Sequence, residues 1–397
     1  MTGNSGAGVP GAEAAHAPSG RAYLDHASTS PLRPAAARAM WEWISAADPG
    51  RVHTEGRMAR AALEDARDRV AGLFGTRSRQ VVFTSGATEA INSAAYGVLA
   101  GIRPGAVALG AVEHSAVTES SERWAASVIP LGVDRAGRLD PSEVAAVLDR
   151  HPVALVQCQV GNHEVGTVQP VAEIAELCHR HGALLHVDAA AGAGHLPIAF
   201  DDLGADLVSV SAHKLGGPKG AGALLVRRNL RITPFIVGGS QERARRAGLE
   251  NLPAAVGFGA AASELSRPGV LAGEADAARA WTDRLRAAAG SIPDVEIYGP
   301  DRPELRLPHL VCLGVGGVEA EPVLIGLDQA GVAAHSGSSC SSESLEPSPV
   351  LQAMGVDGER SLRLSVGWCT TGEDIDRCVR VLPGVVARLR ELWSGQA

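Results

Sequence analysis

The feature that most constrains the fold is an alternation of short apolar runs with amphipathic stretches from about residue 55 onward. GRMARAALEDARDRVAGLFG has helical periodicity and ends on a glycine, and helical stretches such as PSEVAAVLD and VAEIAELCHRHG separate several apolar runs. Strands are predicted at QVVFTS, AVALGAVEH, ASVIPLGV, VALVQCQV, ALLHVDAA, DLVSVSAH and GALLVRR. This order of elements predicts an α/β fold with a mostly parallel seven-stranded sheet covered on both faces.

After about residue 270 the pattern changes to a smaller α+β domain. The long helix-like stretch ARAWTDRLRAAAG is followed by strands at VEIYGP, LPHLVCLGV and SLRLSVG, with helices at EPVLIGLDQAG and SPVLQAMG. We predict a large domain over residues 34–268 and a small domain over 21–33 and 269–397, to which the strand AYLDHAS belongs. Residues 1–20 lack the basic start and apolar middle of a signal peptide, so they are interpreted as a disordered tail of a cytoplasmic protein.

Composition excludes several classes of function. A net charge of −8 and a pI near 5.9 argue against nucleic acid as a direct partner. The chain has no apolar run of the ~18 residues that a membrane span needs. Its six cysteines form no CxxC or CxxH pair, which disfavours a disulfide framework and a metal site. Five are predicted to be core residues, whereas Cys340, in the polar stretch HSGSSCSSES, is predicted to lie on an exposed loop open to chemistry.

Lysine usage points to a reactive amine. The stretch VSVSAHKLGGPKGAG holds Lys214 and Lys219, the only lysines among 36 basic residues. Arginine serves surface charge and ion pairing about as well, but it does not lose its proton. A desolvated lysine amine can lose its proton and condense with a carbonyl, so one hypothesis is a Schiff-base lysine. The alternative is that the two lysines remain in the sequence by chance.

Three further features fall where strands end or alternate. Residues 85–88 (SGAT) join a strand to a helix, where backbone N–H groups and a hydroxyl could bind a phosphate, although many such turns bind nothing. Asp188 ends an apolar strand and would be either a buried carboxylate with a cationic partner or a turn residue. Arg363 alternates with two leucines, so it is either an inward guanidinium that grips a carboxylate or an exposed edge-strand residue.

One ligand would satisfy all four features. Lys214 would react with a carbonyl group, and the turn would bind a phosphate. Asp188 would pair with a cationic ring nitrogen, and Arg363 would bind a substrate carboxylate. Pyridoxal 5′-phosphate carrying an amino acid supplies all of them. Their joint occurrence on suitable elements is far less expected by accident than any one of them alone.

The chain resembles the cysteine desulfurases of the class V aminotransferase family, in the branch whose mobile loop reads SGSxC. The resemblance covers nearly everything after the tail and is carried by the following segments: YLDHASTSPLRP, VHTEGRMAR, FTSGATEAIN, VEHSAV, GNHEVGTVQP, HVDAA, SAHKLGGPKGAGAL, GGSQERARRAG, HSGSSCSSESLEPSPVLQAMG and LRLSVGWCTTGEDID. It implies fold type I of the pyridoxal-phosphate enzymes and conversion of L-cysteine to L-alanine.

The resemblance also implies roles for individual residues. Lys214 would hold the cofactor and move the Cα proton, Asp188 would pair with the ring nitrogen, and Cys340 would take the sulfur as a persulfide. His114 would stack on the ring and manage protons near the sulfur. The implied phosphate cradle comprises Ala87 (by its backbone), Thr88, Ser211 and His213, and the implied substrate-carboxylate clamp comprises Asn162 and Arg363. Lys219 is expected to have a structural or surface role.

Two positions depart from the family pattern. Ala191 stands where a glutamine usually bonds the phenolic oxygen of the cofactor, and Leu249 stands where a threonine usually reaches the phosphate across a dimer. Each lost hydrogen bond is worth about 0.5–1.5 kcal/mol. We interpret the site as detuned or specialised, since the reactive residues remain.

Two alternatives stay open beside the desulfurase. One is a class V aminotransferase or carbon–sulfur lyase that does not use Cys340, and the other is a cofactor-poor scaffold that docks sulfur acceptors. The resemblance also implies a homodimer with GGSQERARRAG at its interface and a sulfur-acceptor protein as a partner, without identifying the acceptor.

Overall fold

The computed structural model describes residues 20–337 and 348–394. Its strands are β1 (Ala22–Tyr23), β2 (Val81–Thr84), β3 (Ala106–Gly110), β4 (Ser127–Leu131), β5 (Val153–Gln159), β6 (Leu184–Asp188), β7 (Leu207–Ser211), β8 (Gly222–Val226), β9 (Val295–Tyr298), β10 (Leu310–Val315), β11 (Val332–Ala333) and β12 (Ser361–Ser365). Its α-helices are α1 (Pro34–Glu42), α2 (Thr54–Leu73), α3 (Ala87–Ala95), α4 (Ser115–Trp124), α5 (Pro141–Arg150), α6 (Val171–His181), α7 (Phe200–Leu203), α8 (Gln241–Ala244), α9 (Leu252–Leu265), α10 (Val270–Gly290), α11 (Ala320–Gln329), α12 (Pro349–Ala353) and α13 (Gly372–Ser394).

A seven-stranded sheet forms the centre of the molecule, in the order β2-β8-β7-β6-β5-β3-β4. Strand β8 runs antiparallel to both of its neighbours, and the remaining pairs are parallel. The predicted α/β fold with a mostly parallel seven-stranded sheet is therefore confirmed.

Helices cover both faces of this sheet. On one face α1, α2, α6 and α9 pack an apolar cluster that includes Leu63, Ile174 and Phe258. On the other face α3 and a π-helix (Tyr96–Ile102) pack a second cluster around Val98 and Leu155. Burying an aliphatic or aromatic side chain of this size contributes about 1.5–3 kcal/mol, so both faces stabilise the sheet.

A smaller antiparallel sheet, β12-β10-β9, packs against α10, α11 and α13. Its apolar cluster includes Leu285, Val323, Leu362 and Leu364. The predicted strand near residue 23 is present as β1, which pairs in parallel with β11. The domain limits, 34–268 for the large domain and 21–33 with 269–397 for the small domain, stay predictions. Within the described ranges, no helix is both long and apolar enough to cross a membrane.

The direction of the strands fixes where a site can form. Strands β2, β3, β5, β6 and β7 all point their carboxyl ends to one edge of the large sheet, and the antiparallel β8 begins there. The turns that follow these strands therefore surround one space, which is where open α/β sheets place ligands.

Candidate active site

A cavity of about 500 Å³ lies at this edge of the sheet. It is lined by every sequence-predicted site residue except Asn162 and Cys340: Ala87, Thr88, His114, Asp188, Ser211, His213, Lys214 and Arg363. Cys340 lies outside the described residues. Most of these residues meet because each ends or follows a strand of the large sheet, whereas Arg363 comes from β12 of the small sheet.

Lys214 sits on a turn that the amino-terminal segment holds in place. The turn is a 3₁₀ helix (Ala212–Lys214) that directly follows β7. Arg33 binds the turn twice, with its backbone N–H donating to the carbonyl of Gly216 (2.8 Å) and its Nε to the carbonyl of Leu215 (3.0 Å). Gly216 has φ +86°, and a Cβ there would lie 2.6 Å from Cγ of Arg33. The lysine is therefore placed by a tightly fitted turn.

Arg33 is a positioning residue that the sequence did not reveal. Its side chain is 2% exposed and lies between Glu264 of α9 (2.9 Å) and Glu274 of α10 (2.6 Å). These two carboxylates hold the pKa of Arg33 above its usual value despite burial, which alone would lower it. A buried charge needs such partners. The turn of Lys214 is thereby connected to α9, which packs on the large sheet, and to α10, which packs on the small sheet.

Asp188 ends β6 at the floor of the cavity and is 8% exposed. Its Oδ1 accepts hydrogen bonds from the backbone N–H of Ala190 (3.0 Å) and from Oγ of Ser209 (3.2 Å). It therefore combines the two interpretations of the sequence, since it is both a buried carboxylate and a turn residue. Nearby Glu113 is a buried carboxyl that the sequence gave no reason to single out. Burial first, and then the charge of Asp188, raise the pKa of Glu113 to about 8.

Donors suited to a phosphate gather at one side of the cavity. Helix α3 begins at Ala87, so its first backbone N–H groups and the hydroxyl of Thr88 lie at the cavity wall. Oγ of Ser211 lies 2.8 Å from Nδ1 of His213. Burial, with Lys214 and Lys219 nearby, lowers the pKa of His213 to about 4. Lys219, predicted to have a structural or surface role, is exposed and also lines this cavity.

His114 is held by its own helix and by the loop before it. It caps α4, with its Nδ1 accepting the backbone N–H of Ala116 at 3.1 Å. The carbonyl of Val112, two residues earlier, accepts bonds from the side-chain amides of Gln159 (2.8 Å) and Asn162 (3.0 Å). These bonds tie the histidine to the end of β5.

Asn162 is fully buried and holds backbone groups. Besides the bond to Val112, its Oδ1 accepts the N–H groups of Glu164 (2.9 Å) and Val165 (2.8 Å). In this structure the residue shapes the loop below the cavity. Its predicted part in binding a substrate carboxylate stays a prediction.

Arg363 lies on β12, where Leu362 and Leu364 point into the apolar cluster of the small sheet. It is 1% exposed, so the alternative of an exposed edge-strand arginine is wrong. Its guanidinium donates to the carbonyl of His163 (2.8 Å), to Oγ of Ser28 (2.7 Å) and to Oδ1 of Asp25 (3.2 Å). Its Nε is buried without a hydrogen-bond partner among the described residues. The side chain thus retains a donor.

The two departures from the family pattern lie beside the cavity. Ala191 lines it. Leu249 is 64% exposed and lines an adjacent cavity of about 190 Å³ that shares Ser85 and Gly220 with the first. Ala191 therefore faces the main cavity, and Leu249 faces the side where the phosphate donors lie.

The cysteine predictions need one correction. Cys158, Cys178, Cys312 and Cys378 are buried, as predicted, but Cys369 is only half-buried because it follows β12 on a loop. Burial raises the pKa of Cys369 to about 11, so its thiol is protonated at neutral pH. No cluster of metal ligands occurs in the part of the chain that the structure describes.

The donor set fits a phosphorylated aromatic aldehyde. A lysine amine, a buried carboxylate, a helix amino terminus with hydroxyl donors, and an arginine with an unpartnered buried Nε all border one cavity. Nothing in the set suits a metal ion, which would need clustered carboxylates, imidazoles or thiolates.

Comparisons with known proteins agree with this geometry. Residues 22–378 match the family model described as aminotransferase class-V. The cysteine desulfurase IscS of Dictyoglomus turgidum is 37% identical over 383 residues, which are 93% of this chain and 95% of that protein. The structure of a NifS-like protein from Rickettsia africae superposes with a TM-score of 0.84 at 27% identity, covering 92% of this chain and 99% of that one. A structure of SspA in complex with cysteine gives a TM-score of 0.76 at 27% identity, over 87% and 99% of the two chains. The chain therefore belongs to the aminotransferase class-V family.

Proposed function

We propose that the protein is a pyridoxal-phosphate-dependent cysteine desulfurase that converts L-cysteine to L-alanine and leaves the sulfur as a persulfide on Cys340. The observation that carries the proposal is the meeting of Lys214, Asp188 and the phosphate donors in one cavity. Relatives named cysteine desulfurase span nearly the whole chain, and the related SspA structure contains cysteine, which supports this substrate.

The cofactor would be held at three points. Lys214 would attach to its aldehyde carbon, Asp188 would pair with its ring nitrogen, and the start of α3 with Ser211 and His213 would bind its phosphate. When bound, pyridoxal phosphate supplies an electron-poor ring that stabilises negative charge on the Cα of an attached amino acid. Because Asp188 is buried, its attraction for a protonated ring nitrogen would be stronger than in water.

The chain's own residues would orient the substrate and move its protons. Arg363 would bind the substrate carboxylate, for which its buried unpartnered Nε is a suitable donor. Lys214, once released from the aldehyde carbon, would take up and return the Cα proton. A neutral His114 bears its proton on Nε2, because its Nδ1 accepts a backbone N–H, and could donate a hydrogen bond to the substrate sulfur.

The overall reaction balances without an added oxidant. L-Cysteine and the thiol of Cys340 give L-alanine and the persulfide of Cys340, so one carbon–sulfur bond breaks as one sulfur–sulfur bond forms. A second protein would then accept the outer sulfur atom. We also propose a homodimer, since Val237 and Leu249, on either side of the segment 238–248, are 74% and 64% exposed apolar residues.

The decisive experiment is incubation of the holoenzyme with L-cysteine, followed by measurement of alanine, sulfide and the mass of the Cys340 peptide. We expect alanine together with a gain of one sulfur atom on that peptide, and Cys340→Ser should lose both. Unchanged alanine formation by Cys340→Ser would instead indicate a carbon–sulfur lyase. Protein that shows no visible cofactor band after incubation with pyridoxal phosphate would indicate a scaffold.

A further inference from the structure

A second histidine lies in the cavity beside His114. His163 follows β5, is 6% exposed and lines the same space. Its ring centroid is 5.1 Å from that of His114, with the ring planes at 63°. The residue has no role in the proposed function so far.

The position of His114 leaves one proton transfer unassigned. Its Nδ1 accepts the backbone N–H of Ala116 at the start of α4, so the neutral ring already carries a proton on Nε2. Such a ring can donate, but it can accept another proton only by giving up its helix cap. The attacking thiol must lose its proton to become a nucleophile, because the thiolate is the reactive form. A second acceptor beside His114 would take this proton while His114 keeps its helix cap.

His163 has the surroundings of an acceptor. Its Nε2 is 3.6 Å from Oε1 of Glu164, so a neutral ring turns its N–H toward this carboxylate and keeps the lone pair of Nδ1 for another proton. Glu164 is 2% exposed, and its Oε2 accepts a hydrogen bond from Oγ of Ser348 at 2.6 Å. The carboxylate is thus fixed where it would stabilise an imidazolium.

The backbone of His163 is also fixed, since its carbonyl accepts a bond from Nη1 of Arg363 at 2.8 Å. The charged and titratable groups that face His163 are Glu164, His114, Lys214 and Arg363. Burial is the largest influence and lowers the pKa of His163 below its usual value, against the effect of Glu164. The ring is therefore neutral at pH 7 and able to take up a proton.

We propose that His163 accepts the proton of the thiol that attacks the substrate sulfur, with Glu164 as the counter-ion of the imidazolium. This inference rests on the proposed function, which assigns the attacking thiol to Cys340. In the step a sulfur–hydrogen bond breaks and a nitrogen–hydrogen bond forms on the imidazole. The thiol becomes a thiolate, and no electrons are exchanged. The proton returns later to the carbon from which sulfur has departed.

The test compares wild-type holoenzyme with His163→Asn in single-turnover alanine formation from L-cysteine between pH 7 and 9.5. An ordinary thiol with pKa ~8.5 is only a few per cent thiolate at pH 7, so without an acceptor we expect a loss of about 30-fold there. The loss should shrink toward none at pH 9.5, where the thiol ionises unaided. Glu164→Gln, which can still accept a bond from Ser348, should give a smaller loss with the same pH trend.

A reaction that needs no thiol serves as the control. Exchange of the Cα hydrogen of L-alanine for deuterium uses the cofactor and Lys214 alone, so His163→Asn should leave it and the cofactor absorption unchanged. A loss that is equal at all pH values, or that extends to alanine exchange, would mean a structural role and would overturn the inference, as would wild-type rates at pH 7. If the wild type itself makes no alanine from cysteine, the proposed function fails and takes this inference with it.

Discussion

The two ends of the cavity are built differently. The chemical end, formed by His114, His163, Asp188 and Lys214, consists of buried or half-buried residues. Hydrogen bonds from their own segments and from other segments hold these residues or their turns. The phosphate end, formed by Ser85, Thr88, Ser211, His213 and Lys219, includes three exposed residues and opens toward the exposed Leu249. Within the described residues, this chain thus encloses the chemical end, whereas the phosphate end is open to a ligand or, as we propose, to a second chain.

The strand order accounts for the exposure of Ser85 and Thr88 at the phosphate end. Asp188 ends β6 and Lys214 follows β7, and both strands lie inside the sheet with neighbours on both sides. Ser85 and Thr88 follow β2, an edge strand. Side chains at the end of an interior strand are enclosed by adjacent turns, whereas those at the end of an edge strand are enclosed on one side only.

Lys214→Ala should produce the largest effect, at the chemical end. We expect alanine formation to fall by more than about 10³-fold, because both the attachment point and the proton carrier are lost and proton transfer alone is worth about 10²–10⁴-fold. The visible absorption band of the lysine-bound cofactor should also disappear. Absorption spectroscopy and alanine assays check this.

The matched control is Lys219→Ala, which removes the chain's other lysine at the phosphate end. It should keep the band and most of the activity at saturating cofactor. If both variants lost the band, attachment could not be assigned to Lys214, and the proposed division between the two ends would fail.

Sequence patterns predicted the chemical end better than its supports. Asp188 and Arg363 could be singled out because strand periodicity fixes where a strand ends and which way its residues alternate, and Lys214 because it is one of only two lysines in the chain. The hydrogen bond from Arg33 to the turn of Lys214 could not be predicted, since it joins residues 182 positions apart. The bond between Ser348 and Glu164 spans 184 positions. Such contacts are set by packing between segments far apart in the sequence and leave no local periodicity.

Glu113→Gln should change stability at the chemical end in a pH-dependent way. The pKa of Glu113 is about 8 in the folded chain against an ordinary 4.5, so the folded chain keeps this proton longer. The contribution of Glu113 to wild-type stability should therefore be greatest below pH 4.5 and fall as pH rises toward 8, by about 1.4 kcal/mol per pH unit, before levelling off. The glutamine does not titrate, so the variant should gain a few kcal/mol relative to wild type between pH 5 and pH 8.

Urea unfolding of the cofactor-free proteins at pH 5, 6.5 and 8 measures this difference. Glu122→Gln, on the exposed side of α4, is the matched control and should show no such trend. If the difference in free energy of unfolding between wild type and Glu113→Gln were the same at all three pH values, the raised pKa of Glu113 would be contradicted.

Lys219→Ala should have a smaller effect, confined to the phosphate end. Its ammonium would face the cofactor's phosphate across a partly solvated space, so we expect about tenfold weaker binding of pyridoxal phosphate, or about 1.4 kcal/mol. Binding of pyridoxal, which lacks the phosphate, should be unchanged, and Lys219→Arg should restore most of the affinity. Titrations followed by absorbance provide the dissociation constants. An equal loss for both ligands would show that Lys219 acts on the fold of the turn instead.

Leu249→Thr should produce the smallest change, and in the opposite direction. If a partner chain brings residue 249 to the phosphate end, a hydroxyl there adds one hydrogen bond, worth about 0.5–1 kcal/mol, and pyridoxal phosphate should bind about two- to fivefold more tightly. Leu249→Ala separates this bond from the mere removal of an exposed leucine, because it takes away the same apolar surface and adds no donor. A gain that appears with threonine, is absent with alanine and vanishes for pyridoxal would mean that the phosphate end is completed from outside the chain. Equal gains in affinity with threonine and alanine would instead mean that Leu249 obstructs the adjacent cavity. The phosphate end would then be open without any contribution from a second chain.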